Sequence, residues 1–491
     1  MLWFGYIYYL LFNILSLVAF LFLLRKFILN TTSQFSVLRI TYKFFISIML
    51  FLFFIMSSFL VYLLDTYQSL LYTNISSIAL NTFFINDYMY HTGSNFYNLV
   101  KVYYFPFIYV FIVVTILSVI FCLTYNQDEL NSFMFYIIVI ILAGYSLFFT
   151  NSLLVLFLSY ETLLIPSFFI LYKFAKTRKC VEAAYLMFFW TQFGAMFLIF
   201  GILYIILVNN SSLLSSINSS YYSSFEVNFI FLCLIFGFGV KLPIWPFYGW
   251  LPKAHVEAST NFSIFLSGVL VKFAFFALLK ILLTIQLEPT FVYIIPFLFI
   301  GMFDSVLKLF YQIDLKKLVA YSTVVEMHWL TICLVSGQSN LMLASFCMLI
   351  SHALISTNSF LLVDAIARRW KTRLITEISG VNFATPKLFI MALINLLIFL
   401  GFPGSLFFIS EFLFFSFLFD MFPLLTFILL VLLYLLAPTF FFRSWMNVIF
   451  GYSTSLTKSL PTDLSSRELL IFSSVSVLMY WLGISWQSFI L

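Results

Sequence analysis

Apolar residues fill this chain in runs far longer than one face of a soluble helix needs. In an amphipathic soluble helix, apolar positions recur every three or four residues. Here, stretches of roughly 18 or more apolar positions follow one another with little polar interruption, the pattern of helices that cross a bilayer. Such runs fall at about 3 to 24, 44 to 64, 103 to 124, 133 to 150, 152 to 172, 183 to 208 and 229 to 249. Others fall at about 262 to 282, 291 to 310, 318 to 336, 341 to 365, 386 to 418, 423 to 445 and 469 to 489. The pattern predicts an all-α polytopic membrane protein with about 14 transmembrane helices.

Two of these runs carry helix breakers in mid-membrane: Gly239 to Pro246 in the seventh, and Gly-Phe-Pro-Gly at 401 to 404 in the twelfth. Proline lacks the N–H a helix needs and glycine loosens it, so both helices should be discontinuous there. If spans four to eight and nine to thirteen are two copies of a five-helix unit, the breaks take corresponding positions. An odd helix number inverts the second copy, and interrupted segments at matching places in inverted repeats point to a transport site. The expected organisation is 1–124 as N-terminal helices with an external loop, 125–282 as the first repeat, 291–446 as the second and 447–491 as a C-terminal segment with the last span. The loop is the polar stretch near 65 to 102, rich in Asn, Ser and Tyr.

Composition agrees: 64% of residues are hydrophobic and 9% charged, against roughly 25% charged in soluble domains, which excludes a water-soluble fold. The 69 phenylalanines and 29 tyrosines exceed any packing need and suggest a biased organelle genome. The start, MLWFGYIYYLLF, has no cationic or Arg- and Ser-rich presequence, so no cleaved leader is expected. Cys122, Cys180, Cys233, Cys333 and Cys347 are scattered with no CxxC pair, and no dinucleotide fingerprint or phosphate-binding loop is present. A redox metal, nicotinamide, flavin or ATP site on this chain is not expected. The net charge of +6 comes from loop residues and does not indicate nucleic acid.

Loop charge tests the span count, because basic residues gather on one side of a membrane. Of the 24 basic residues, all but Lys101, Lys280, Lys241 and Lys272 fall in loops or helix ends after odd-numbered spans. A missed span would mix the two groups. Lys241 and Lys272 lie near the centres of spans.

A charge at mid-bilayer costs about 2.5 to 3.5 kcal/mol on insertion scales, so each one is a candidate functional residue. Glu161, Lys241, Lys272, His352 and Glu411 fit that description, and Glu326 is a further candidate. His328, next to Trp329, reads as structural, and His91 in the polar loop as incidental. Asp304 and Lys308, four apart on one helix face, can neutralise each other.

The run FGFGVKLPIWPFYGWLPKAHVEA at 236 to 258 resembles the signature of the antiporter-like membrane subunits of respiratory complex I, the NADH:ubiquinone oxidoreductase. Within it, WLPKAHVEA at 250 to 258 resembles the chain 4 branch rather than chains 2 or 5. Supporting matches are YETLLIP at 160 to 166, DLKKLVAYSTV at 314 to 324, SHALIS at 351 to 356 and LGFPGSLFFISEF at 400 to 412. The likeness spans about 120 to 450. It implies proton translocation, with Glu161 as carboxylate partner of the pumping lysine Lys241, Lys272 as connecting lysine, His352 on the central hydrophilic axis and Glu411 as the terminal charge. It also implies a multi-pass place in the mitochondrial inner membrane with basic loops on the matrix side. NADH, FMN, iron-sulfur clusters and ubiquinone would belong to other subunits; the partners would be neighbouring membrane-arm chains and lipids. Three positions depart from the family: Glu326 stands where a histidine is usual, Ser259 where proline is, and Lys371 where histidine is common. Alternatives are a subunit of a multi-chain cation/proton antiporter, a stand-alone secondary transporter and a non-conducting membrane scaffold.

Overall fold

Helix α1 (Gln127–Phe149) opens the computed structural model at the fourth predicted span. The structure describes residues 127–174, 177–214, 217, 222–285, 294–336, 339–450 and 462–485, together with Phe111, Val114 and Thr115. Spans one and two, the third span apart from Phe111, Val114 and Thr115, the polar loop with His91, and Lys101 and Cys122 lie outside the described residues.

Among the described residues there is no strand, only the isolated bridges Ser152 to Leu213 and Asp314 to Leu374. The fifth span is α2 (Leu153–Thr162) followed by α3 (Leu164–Lys173), and the sixth is α4 (Arg178–Asn209). The seventh is α5 (Ser224–Lys241), then, after its break, α6 (Trp250–Glu257). The eighth comprises α7 (Thr260–Phe265), a π-helical turn (Leu266–Leu270) and α8 (Val271–Ile285). Next come α9 (Ile295–Phe310), α10 (Leu315–Val335) and α11 (Ser339–Trp370). After the short α12 (Val381–Ala384), the twelfth span is α13 (Pro386–Phe399) and α14 (Leu406–Met421). The last two spans hold α15 (Pro423–Leu430) and α16 (Ala437–Phe450) on either side of a second π-turn, and α17 (Ser466–Ile484).

Among the described residues, five helical stretches are long and apolar enough to cross a bilayer: Leu153–Lys173, Arg178–Asn209, Thr260–Leu282, Leu315–Val335 and Leu341–Trp370. The last three are the interior layer, since their apolar windows are 94 to 100% buried. The first two show many exposed side chains, Phe189, Met196, Phe200 and Leu207 among them, as expected of helices facing lipid or neighbouring chains. Helices α4 and α5 touch through backbone: a Cβ on Gly194 would lie 2.8 Å from the Gly237 carbonyl oxygen. Small residues permit such close crossings in membranes.

Each break has a local cause. In α5, the Gly239 carbonyl would accept from residue 243, but Pro243 has no N–H, and Ile244 donates to it instead at 3.0 Å. That shift frees the Val240 carbonyl, which takes the Trp250 indole N–H at 2.8 Å and ties α6 back to α5. In the twelfth span, Phe402 N–H donates to Leu397 and Gly401 N–H to Ile398, both at 3.1 Å, with Gly401 at φ 69°. This is a Schellman ending, which needs a left-handed residue at the position Gly401 fills. Ser405 then caps α14 by accepting from Phe408 N–H at 3.2 Å. Ser259, the departure from proline, likewise caps α7, accepting from Phe262 N–H at 3.4 Å.

Candidate functional site

Lys241 is the last residue of α5, so its side chain leaves the helix at the break. It is buried; its Nζ donates to the Tyr160 carbonyl at 3.1 Å and lies 3.8 Å above the Tyr160 ring. The tyrosine thus meets the ammonium with a backbone dipole and a π face, both favourable to a cation. Tyr160 sits next to Glu161 near the end of α2, where the helix is interrupted at Leu163, three residues before Pro166. The Glu161 carboxylate is half-buried and within electrostatic reach of Lys241, but no ion pair under 4.0 Å joins them. The contact to Lys241 is made by the neighbouring residue.

Lys272 lies in the first turn of α8, directly after the π-turn. A π-turn shifts the hydrogen-bond register and leaves carbonyl capacity inside the helix; Lys272 Nζ donates to one such carbonyl, that of Ser267. It also contacts Nδ1 of His352 on α11. On the other side of the ring, His352 Nε2 stands 3.3 Å from Glu326 Oε2 on α10. Three titratable side chains from three helices therefore form one buried line, Lys272 to His352 to Glu326. With Lys272 donating to Nδ1, the ring carries its hydrogen on Nε2, facing the carboxylate.

Beyond Glu326 is a cavity of about 60 Å³ that Glu411 also lines, with Ser322, Trp329, Met348 and Phe407 among its walls. Glu411 follows the second break, and its carboxylate leans back against it: a Cβ on Gly401 would come within 2.6 Å of Glu411 Oε2. The structure thus brings Lys272, His352 and Glu326 together, places Glu411 on the wall of the cavity that Glu326 also lines, and sets Lys241 with Glu161 apart; no side-chain hydrogen bond joins Lys241 to Lys272.

Several other polar groups are committed to holding the structure together. His328 accepts from Trp245 N–H at 2.8 Å through Nε2 and meets the Val324 carbonyl at 2.8 Å through Nδ1, so it caps the broken segment with both nitrogens committed. Asp304 and Lys308 pair at 2.8 Å, and the Tyr248 hydroxyl bonds both. Lys280 gathers the carbonyls of Phe148 at 2.9 Å and Thr150 at 2.6 Å at the C-terminal end of α1.

Two buried groups escaped the reading of mid-span charges. Lys316 counts as a loop lysine by position, yet it is buried and donates to the Ala258 carbonyl at 2.6 Å. His255 is fully buried and stacked on Phe360 at 4.8 Å, with neither ring nitrogen hydrogen-bonded. The only sequence signal for His255 was its place inside the 250 to 258 motif.

Residues 150–437 match the family profile described as "NADH:quinone oxidoreductase/Mrp antiporter, TM". The NADH-ubiquinone oxidoreductase chain 4 of Paramecium tetraurelia is 35% identical over 349 residues, 71% of this chain and 73% of the relative. Among solved structures, the Mrp complex of Dietzia sp. matches with a TM-score of 0.72 at 15% identity, covering 79% of this chain and 82% of that one. Respiratory complex I of Thermus thermophilus matches with a TM-score of 0.68 at 22% identity, covering 78% and 81%. At these identities the two structures speak for the fold alone.

Proposed function

The chain belongs to the NADH:quinone oxidoreductase/Mrp antiporter membrane family, and from that premise we propose that it is the proton-translocating chain 4 subunit of a mitochondrial NADH:ubiquinone oxidoreductase. In this reading it is organelle-encoded and spans the inner membrane about 14 times, with 125–282 and 291–446 as inverted repeats and the basic loops in the matrix. Its partners are the neighbouring antiporter-like chains, other membrane-arm subunits and lipids. NADH, FMN, iron-sulfur clusters and ubiquinone act in other subunits.

The observation that carries this reading is the buried line from Lys272 through His352 toward Glu411, built where helices are discontinuous. A scaffold would have no reason to hold a lysine against an imidazole in a low-dielectric interior, where unpaired charge is expensive. Lys241 and Glu161 form the other end of the series. Because the two feel each other's charge, protonation of one follows that of the other, and they titrate as a pair. Neutralising or withdrawing Glu161 releases the Lys241 proton toward Lys272 by way of water. From there the Lys272 and His352 contact passes it toward Glu411. The work comes from quinone reduction elsewhere in the complex and must exceed about 2.3 kcal/mol per charge for each 100 mV of membrane potential.

The test uses the assembled complex in inner-membrane vesicles. Lys241→Ala and Glu161→Ala should leave it assembled while abolishing proton pumping coupled to NADH oxidation; assembled variants that pump at the wild-type rate would overturn the assignment. The fold shared with the Mrp complex favours a second reading, a subunit of a multi-chain cation/proton antiporter. Sodium-dependent proton exchange without NADH oxidation in membranes holding the chain would select it.

A further inference from the structure

The cavity between α10, α13 and α14 has two carboxylates on its wall, Glu326 and Glu411. Glu326 is 6% exposed, and neither of its side-chain oxygens has a hydrogen-bond partner in the protein. An ionised carboxylate left so in a low-dielectric interior is strongly disfavoured. His352 supplies one nearby nitrogen at 3.3 Å, outside good hydrogen-bonding geometry. The open side of Glu326 faces the cavity. Its volume of about 60 Å³ is enough for several waters at roughly 10 to 15 Å³ each. Ser322 adds a hydroxyl to the wall, and Glu411 is near enough to repel a second negative charge. Two carboxyl groups that cannot both ionise hold one proton between them.

Resting on the proton-translocating function proposed above, we infer that Glu326 and Glu411 share one proton across this cavity through water, so that Glu326 is itself a proton-carrying residue. The steps balance as simple transfers. The Lys272 Nζ–H bond breaks as His352 Nδ1–H forms, and the His352 Nε2–H bond breaks as Glu326 Oε2–H forms. Once Glu411 has released the proton it held, the proton on Glu326 moves through the cavity water to Glu411, leaving the Glu326 carboxylate ready for the next and one proton on the pair, while rotation of the imidazole brings its N–H back to the Glu326 side. Imidazole serves as a bridge because it accepts on one nitrogen while donating from the other.

The experiment uses the purified, assembled complex and its vesicles, with Glu326→Gln, Glu326→His, Glu411→Gln and Lys241→Ala compared at equal assembly. Infrared difference spectra should show a deuterium-sensitive C=O stretch of a protonated carboxyl in the wild type. It should shift in frequency in both Glu326→Gln and Glu411→Gln, because the protonated carboxyl loses its partner across the cavity. NADH-driven pumping should fall at least tenfold in Glu326→Gln and recover in Glu326→His, whose imidazole can also carry the proton. An unshifted band in Glu411→Gln would overturn the inference, as would a Glu326→His variant that pumps no better than Glu326→Gln. Wild-type pumping by Glu326→Gln alongside a dead Lys241→Ala would remove this inference and leave the proposed function standing. Wild-type pumping by both would remove the proposed function. Where Glu326→Gln fails to assemble, the infrared spectrum of Glu411→Gln decides.

Discussion

Lys272 and Lys280 lie two turns apart on the same helix, and both are buried, at 1% and 7% exposure. Their surroundings differ in kind. Lys280 closes the C-terminal end of α1, where carbonyls point out of the helix with partial negative charge. Those carbonyls take no proton, so the ammonium is a cap. Lys272 faces His352, which can take its proton and which stands beside Glu326. Burial of a charge therefore does not mark function by itself; the ability of its partner to exchange a proton does. His328 sides with Lys280, because both of its nitrogens are held by backbone.

That contrast is open to direct attack. The largest difference should come from replacing each lysine by methionine. Lys272→Met should reduce NADH-coupled pumping at least tenfold with assembly kept. Lys280→Met should weaken the subunit by about 1 to 3 kcal/mol through orphaned helix-end carbonyls, with pumping per assembled complex unchanged. Measuring vesicle acidification against the amount of complex on native gels separates the two, and equal pumping defects would dissolve the distinction. A smaller effect is expected for His328→Ala, which orphans the Trp245 N–H at about 1 to 3 kcal/mol. It should lower the detergent resistance of the complex and leave the proton-to-electron ratio unchanged; an altered ratio would move His328 into the route.

The smallest effect belongs to a carboxylate far from the interior. Glu226 forms a capping box with Ser223, each bonding the other's backbone N–H, and the Tyr204 hydroxyl donates to it at 2.6 Å. The Tyr204 bond first, then Ser223, hold its carboxyl below the usual carboxylate range. Its contribution to stability is therefore complete above the ordinary carboxylate pKa and is lost as pH falls through its lower folded value. The stability advantage of the wild type over Glu226→Gln should therefore shrink as pH falls through that range, and an advantage that does not change with pH would show the carboxylate's charge to be inert in the cap.

Much of the interior was legible because charge in a membrane is rare. With 9% charged residues in the chain, each mid-span position stands out by depth alone, and the structure places Lys241, Lys272, Glu326 and His352 among the buried residues. Both breaks were equally legible, since Pro243 and the Gly401 to Gly404 run remove or misdirect backbone donors whatever the fold. The pairing of Asp304 with Lys308 followed from helical spacing. Partners in other helices did not follow. The resemblance implied Glu161 as the partner of Lys241, but that the Tyr160 carbonyl and ring also meet the lysine had no signal in the sequence. Lys316 read as a loop charge until the packing of α10 against Ala258 buried it.

Local rules of this kind act between residues a few positions apart, so the sequence by itself determined the membrane class, the helices, their breaks and the few charges inside them. The contact of Lys272 with His352 bridges 80 positions and that of Lys241 with Tyr160 bridges 81. Only the tertiary structure decided these, because which carbonyl, ring or carboxylate meets a buried charge depends on how helices cross, and hydrophobic patterning is silent on that once every face is apolar.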